Sequence, residues 1–347
     1  MYRFKVNHFD PEELDQKFKK LSYVKKSFFY EKEWLYACTS SRINKKNIYS
    51  VEIYLEETIL MIMLFEKKNF LFCNVLTWLF AEELNFATPI LFKKHDFKKQ
   101  DLEELIKKIL YYFNVDLLLL DKNPIYIENE LNPLSLHINS QSSKILKIDL
   151  KNKQWDEYYQ AISSNKTRQT DRRKEKLLLK EGKIEIQFAD NVEEKKKILD
   201  FTIQNKISFL KKKNLNLKNF ERLYSNFFNN IINNPKYICT ALKIDNKIIS
   251  SIIGRIEKKR YYYLMPSYLE KDFTKYSPGR ILLKEQIKWC FEKKIEVFDF
   301  GPGYFDYKNQ WANSFESYFK ILVSKTFLGH IFCVFYKFKK MIQGFLK

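Results

Sequence analysis

The sequence predicts an α+β protein made of two similar halves in tandem, each a mixed, mostly antiparallel sheet flanked by helices. Three observations carry this expectation. The chain has 347 residues, more than one comfortable domain. Its hydrophobic content of 45% and aromatic content of 17% are ample for two cores. The order hairpin, helix, strand occurs twice along it.

In the first half, residues 50–55 and 58–65 flank Glu56-Glu57 as the two arms of a hairpin do, and 69–77 reads as a third strand. Residues 101–113 follow with an apolar stripe of Leu102, Leu105, Ile106, Ile109 and Leu110, the mark of an amphipathic helix. Residues 115–120 form a buried-type strand. The polar stretch 139–143 lacks any hydrophobic period and marks the expected boundary.

The second half repeats the order. Residues 155–181 form a helix rich in Lys and Arg, closed by Gly182. A strand over 183–188 and helices over 193–211 and 217–234 follow. Strands over 237–244 and 247–256 flank the turn pair Asp245-Asn246. A tyrosine-rich strand over 260–265, a helix over 278–294 and a short strand over 296–300 complete the set. The expected domains are 1–145, 146–326 and a basic amphipathic helix over 327–347.

Three groups of residues carry chemistry. The first is Tyr276-Ser277-Pro278-Gly279-Arg280-Ile281. Ser277 suits an N-cap, Pro278 the first helical position, and Tyr276 and Ile281 the two ends of a hydrophobic staple. Lys275, Arg280 and Lys284 crowd this helix start, where the dipole is already positive. An anion on the free amides would relieve that conflict, and Gly279 has no side chain to block it, so a pyrophosphate site is expected. A plain, well-made helix start is the alternative.

The second group is Asp299-Phe300-Gly301-Pro302-Gly303-Tyr304, followed by Asp306-Tyr307-Lys308. A carboxylate inside a hydrophobic strand is costly unless paired. The glycines around Pro302 allow a tight turn at the strand's carboxyl end, where α/β sheets bind ligands. Asp299 is therefore either a functional base or the partner of a core lysine or arginine. In the third group, Arg168 and Arg172 stand four apart and could clamp a phosphate or carboxylate, or belong to a solvated basic face.

Together these residues resemble the CelD-like branch of the GNAT superfamily, acetyltransferase-like proteins associated with cellulose and exopolysaccharide production. Fem-type aminoacyl transferases are relatives. The resemblance spans about 155–312, and the first half shares only the order of elements. It implies a donor, acyl-CoA, used as a co-substrate with no tightly bound cofactor. The pantetheine arm would pair with the backbone over 261–265, hence Tyr263, Leu264 and Met265, and the phosphates with 275–280. Asp299 or Asp306 would be the base and Tyr304 or Tyr307 the acid, with Arg168, Arg172 and Lys308 toward the acceptor. That acceptor would be an amine or hydroxyl of a cell-envelope glycan or its precursor. The chain departs from the usual phosphate loop, having Thr274 and Ser277 at the first and fourth positions. Residues 92–100 contain no glycine, so the first half is expected to hold no second donor. An aminoacyl-tRNA donor or a non-catalytic role in a polysaccharide complex are the competing implications, and the chain lacks the long helical hairpin of the tRNA-dependent enzymes.

The net charge of +20 is spread along the whole chain, as on a solvated surface, and is not read as a nucleic-acid track. Five scattered cysteines without a CxxC pair and four isolated histidines point to reduced, buried thiols rather than a metal site. No apolar stretch reaches a membrane span and the first residues lack a signal core, so a cytoplasmic location is expected. Residues 327–347 carry a broad apolar surface with lysines toward the end. They would either pack on their own domain or lie weakly on an anionic membrane surface.

Overall fold

The computed structural model describes residues 2–41, 46–70, 72–81, 86–137, 140–212, 231–269, 272–303 and 305–345, with the backbone alone at 41, 140–143 and 337–345. The chain forms two units: Met1–Ser143 with Ser317–Lys347, and Lys144–Glu316.

Unit 1 begins with β1 (Tyr2–His8), α1 (Pro11–Lys20), α2 (Lys32–Ser41), β2 (Ile48–Leu55), β3 (Thr58–Phe70) and β4 (Cys73–Trp78). β5 (Ile90–Leu91), α3 (Lys99–Tyr112), β6 (Leu117–Pro124) and the small hairpin β7 (Tyr126–Ile127) and β8 (Glu130–Leu131) follow. Unit 2 contains β9 (Ser140–Asp149, from Lys144), α4 (Trp155–Ile162), α5 (Asn165–Leu178), β10 (Ile184–Phe188), α6 (Val192–Lys212), β11 (Tyr237–Ile244), β12 (Lys247–Glu257) and β13 (Arg260–Tyr268). After these come α7 (Pro278–Glu292), β14 (Val297–Asp299) and α8 (Asp306–Trp311). The chain ends on β15 (Ser314–Ser324) and α9 (Phe327–Phe345).

The strand order of unit 1 is β1-β2-β3-β4-β6-β15, antiparallel except for the parallel pair β4 and β6. Unit 2 runs β10-β11-β12-β13-β14-β9, antiparallel except for β13 and β14. In each unit a helix makes the crossover that a parallel pair requires, α3 in one and α7 in the other. Each unit takes its sixth strand from the segment that follows the other's fifth strand: β15 completes β6, and β9 completes β14.

This exchange overturns the contiguous division of the chain. Tyr318–Ser324 pairs with Pro124–Leu117, and α9 packs on β4, so the C-terminal residues belong to unit 1. Alternation explains the layers. In β12, Ile252 joins the core beneath α7, while the adjacent Ser251 faces the other way and meets Thr202 of α6 at 2.7 Å. α7 buries Leu282, Leu283, Ile287 and Cys290, and each large apolar side chain there contributes about 1.5–3 kcal/mol.

Several expected elements take a different form. The single basic helix over 155–181 is two, because Ser163 and Ser164 are extended and Ser164 caps α5 by accepting from Thr167 N–H. α5 ends at Leu178, so Gly182 does not close it; it packs against Asp245. Asp245 and Asn246 both have positive φ, as the tight turn between β11 and β12 demands. The expected helix over 217–234 lies, except for its end, outside the described residues.

Candidate active site

The site of interest in unit 2 begins where two parallel strands part. β14 pairs with β13 only over Arg260–Tyr262, while β12 accompanies β13 as far as Tyr268. The second edge of β13 therefore has no strand on it from Tyr263 onward among the described residues. The register of β12 and β13 shifts between Ile253 and Gly254, so that Leu264 is the extra residue of a bulge. Bulges twist the strand and re-aim its groups. Backbone N–H and C=O groups on such an edge are free to pair with an extended ligand.

α7 starts beside this edge. Ser277 is its N-cap residue, but its backbone is left-handed and its hydroxyl does not cap the helix; it accepts from Lys174 Nζ at 2.7 Å. Arg280 and Ile281 donate their amides to Ser277 O at 3.0 and 3.2 Å, and Pro278 has none to give. The Gly279 N–H is left. A β-carbon on Gly279 would lie 3.4 Å from the Tyr268 ring, so that position faces an aromatic side chain rather than open space.

The crowd of cations at this start is already neutralised from within the unit. Arg280 holds Asp171 of α5 through two bonds of 2.7 and 3.0 Å, donates to Gln310 at 3.0 Å and lies 4.8 Å over the Trp311 ring. Lys284 pairs with Glu175, one helical turn along α5. Lys275, mostly exposed, stands 3.9 Å from Glu181 and over the Tyr276 ring. The charge conflict that pointed to a pyrophosphate is thus met by three carboxylates, and the crevice between α5 and α7 is closed over Ser277, Arg280 and Lys284. Tyr276 and Ile281 are both buried in the unit's core, as a staple requires.

Arg168 and Arg172 do not form a clamp. Arg168 turns back to the end of α4, donating to the carbonyls of Ser163 and, at 3.3 Å, Gln160, while Arg172 is exposed.

At the carboxyl end of β14, Asp299 is fully buried. Its Oδ1 accepts from Gly301 N–H at 2.8 Å. Its Oδ2 faces Arg260 at 3.4 Å and Lys147, its cross-strand neighbour on β9, at 3.9 Å. Glu316 closes the cluster against Lys147 and Arg260. Asp299 is therefore the paired core carboxylate of the two alternatives. Burial pulls the Lys147 ammonium down to about 8, against the attraction of Asp299.

Lys308 points inward too. Its ammonium donates to the carbonyls of Phe300, Pro302 and Gly303 at 2.8, 3.2 and 3.3 Å, clamping a turn in which Gly301 and Gly303 take positive φ. Burial lowers it to about 8. Lys308 is a brace for the turn. Lys147, Arg260 and Glu316 were missed as site residues; the signal was Lys147 standing inside the apolar run Ile145-Leu146-Lys147-Ile148.

Two groups remain for chemistry. Tyr307, on α8, has its hydroxyl against that of Tyr263 of β13, and burial pushes it up to about 12. Asp306, in the first turn of the same helix, is exposed. Tyr304 lies outside the described residues. Tyr263, Tyr268 and Tyr307 together line the open edge from the start of α7 to α8.

Residues 165–309, all within unit 2, match the family model described as an acetyltransferase (GNAT) domain. The fold is the GNAT fold. Solved structures align with it over nearly the full chain. A conserved protein of unknown function from Bacteroides thetaiotaomicron aligns at TM-score 0.56 with 9% identity, covering 93% of this chain and 100% of its own. L-PGS from Bacillus licheniformis aligns at 0.52 with 11% identity, covering 94% and 96%. FemX aligns at 0.51 with 12% identity, covering 92% and 95%. No curated protein sequence matches the chain. At such identities the GNAT likeness concerns the fold, and the parting of β13 and β14 beside a crossover helix is its local expression here.

Proposed function

We propose that unit 2 is an acyltransferase that moves an acyl group from acyl-CoA to an amine or hydroxyl. The observation that carries this reading is the open, bulged edge of β13 at Tyr263–Met265, flanked by a protonated tyrosine. A pantetheine arm is an extended chain with amide groups, the kind of ligand that pairs with a free strand edge. The acceptor attacks the thioester carbonyl, its proton passing to Asp306. The C–S bond breaks, and the departing thiolate takes the proton of Tyr307, whose raised pKa keeps it protonated at neutral pH. Most of the rate gain would come from positioning the two substrates. An acceptor on an envelope glycan is supported by the CelD-like resemblance, and unit 1 is proposed to hold no donor.

A second reading is favoured by one specific observation. The α5 carboxylates occupy the cations that would receive the donor's phosphates, as in a GNAT fold that serves as a non-catalytic component. Calorimetry with acetyl-CoA separates the two. Binding that is lost when a proline replaces Leu264 supports the transferase; no heat of binding, with intact cooperative unfolding, supports the scaffold.

A further inference from the structure

α9 is two-faced. Its inner face is fixed to unit 1: a β-carbon on Gly329 would come within 2.2 Å of Asp116 O, so only glycine permits the approach. Thr326 donates to Asp116 at 2.7 Å and accepts from Gly329 N–H, and Cys333 joins Cys73, Val75 and Leu117 in a small core. The outer face is apolar and uncovered. Phe327 is 79% exposed, Leu328 49%, Val334 57% and Phe335 69%, a spacing of two helical turns that places them on one side. The patch continues onto the β3–β4 hairpin, where Phe72 is 86% exposed and the Phe70 ring lies 6.2 Å from that of Phe332. On its other flank Lys325 sits 4.7 Å over the exposed ring of Tyr111, at the end of α3.

We propose that this surface docks unit 1 on an anionic lipid bilayer. Charge selects the occupant. Phe327–Phe345 contains no acidic residue and carries lysines at 337, 339 and 340, in a chain of net charge +20. Among the described residues no helix is long and apolar enough to cross a membrane, so the helix would lie in the interface plane. Phenylalanines of α9 and of the hairpin tip enter the acyl boundary, Tyr111 sits at headgroup level, and the lysines meet anionic headgroups.

The test uses the full-length protein with extruded vesicles of phosphatidylcholine alone or with phosphatidylglycerol, followed by co-sedimentation. Binding is expected on the anionic vesicles only and is weakened by salt. The double variant F72S/F335S should lower the partition constant by about tenfold or more, and replacing Lys337, Lys339 and Lys340 by Gln by about fivefold per lysine. Both residues of the double variant are exposed, so its thermal unfolding should match the parent. Absence of binding to anionic vesicles, or equal binding by F72S/F335S, overturns the proposal. So does a dimer of the parent in analytical sedimentation that the double variant dissociates, because a second copy would then cover the face.

Discussion

Asp299 holds the ionic balance of unit 2. It is buried between Lys147 and Arg260, and Gly301 N–H takes its other oxygen. Removing one member of a buried ionic group leaves the others uncompensated, at a cost of about 3–5 kcal/mol. Asp299→Asn is therefore expected to lower the denaturation midpoint sharply, with any loss of turnover secondary; an unchanged midpoint would return Asp299 to the list of candidate bases. Tyr307 should behave in the opposite way. Tyr307→Phe removes one hydroxyl from a half-exposed ring and should leave stability almost intact. Turnover should drop about a hundred- to ten-thousand-fold, with donor affinity little changed. If stability falls and turnover does not, the acid lies elsewhere.

At the scale of elements, α5 and α7 are joined by Asp171–Arg280, Glu175–Lys284 and Lys174–Ser277, a seam that the spacing along either helix alone does not reveal. We predict that D171N/E175Q, by freeing two cations at the start of α7, raises affinity for coenzyme A measured by calorimetry, while lowering thermal stability. Unchanged affinity would mean that phosphates do not reach this helix end. The same seam explains what was legible. The α7 start, the turn at Asp245-Asn246 and the amphipathic α3 announce themselves through local pattern, because capping, turn chemistry and helical period act within a few residues. The partners of Arg280 lie some hundred residues away, and a helix crowded with Lys and Arg hides the two carboxylates that matter. β15 is not among the expected strands, and α9 was expected as a segment of its own, for a related reason. Pairing with β6 is set by tertiary contact and leaves no mark on their own sequence.

On the scale of the molecule, two lowered lysines set a pH dependence. Lys147 and Lys308 have folded-state values of about 8, below the ordinary lysine value near 10.4. Between these limits each of these lysines binds a proton in the unfolded chain that it lacks in the folded one, so its own contribution to stability rises with pH, while buried thiols such as Cys73, raised to about 11, pull the other way. Unfolding in denaturant at pH 7.5 and 9.5 should therefore show the effect as a difference between proteins, Lys147→Met losing stability relative to the parent at the higher pH; a difference that does not change over this window would contradict the lowered value of this amine. The exchange of sixth strands makes a further prediction. A fragment of residues 1–143 has β6 but not β15, and should be aggregation-prone or molten, regaining cooperative unfolding only when β15 and α9 are supplied. A stable, cooperative fragment would refute the need for the exchange.

That exchange also imposes a timetable on synthesis. β6 is complete at Pro124, but β15 starts only at Ser314, about 190 residues later. At the usual pace of about 5–20 residues per second, the apolar margin of Leu117–Leu120 emerges from the ribosome roughly 10–40 s before its partner exists. Unit 1 cannot be proofread as finished until the last strand is made. A ribosome that stops early releases a chain with an unpaired, sticky strand, which marks the incomplete product for chaperones or proteases without any dedicated signal.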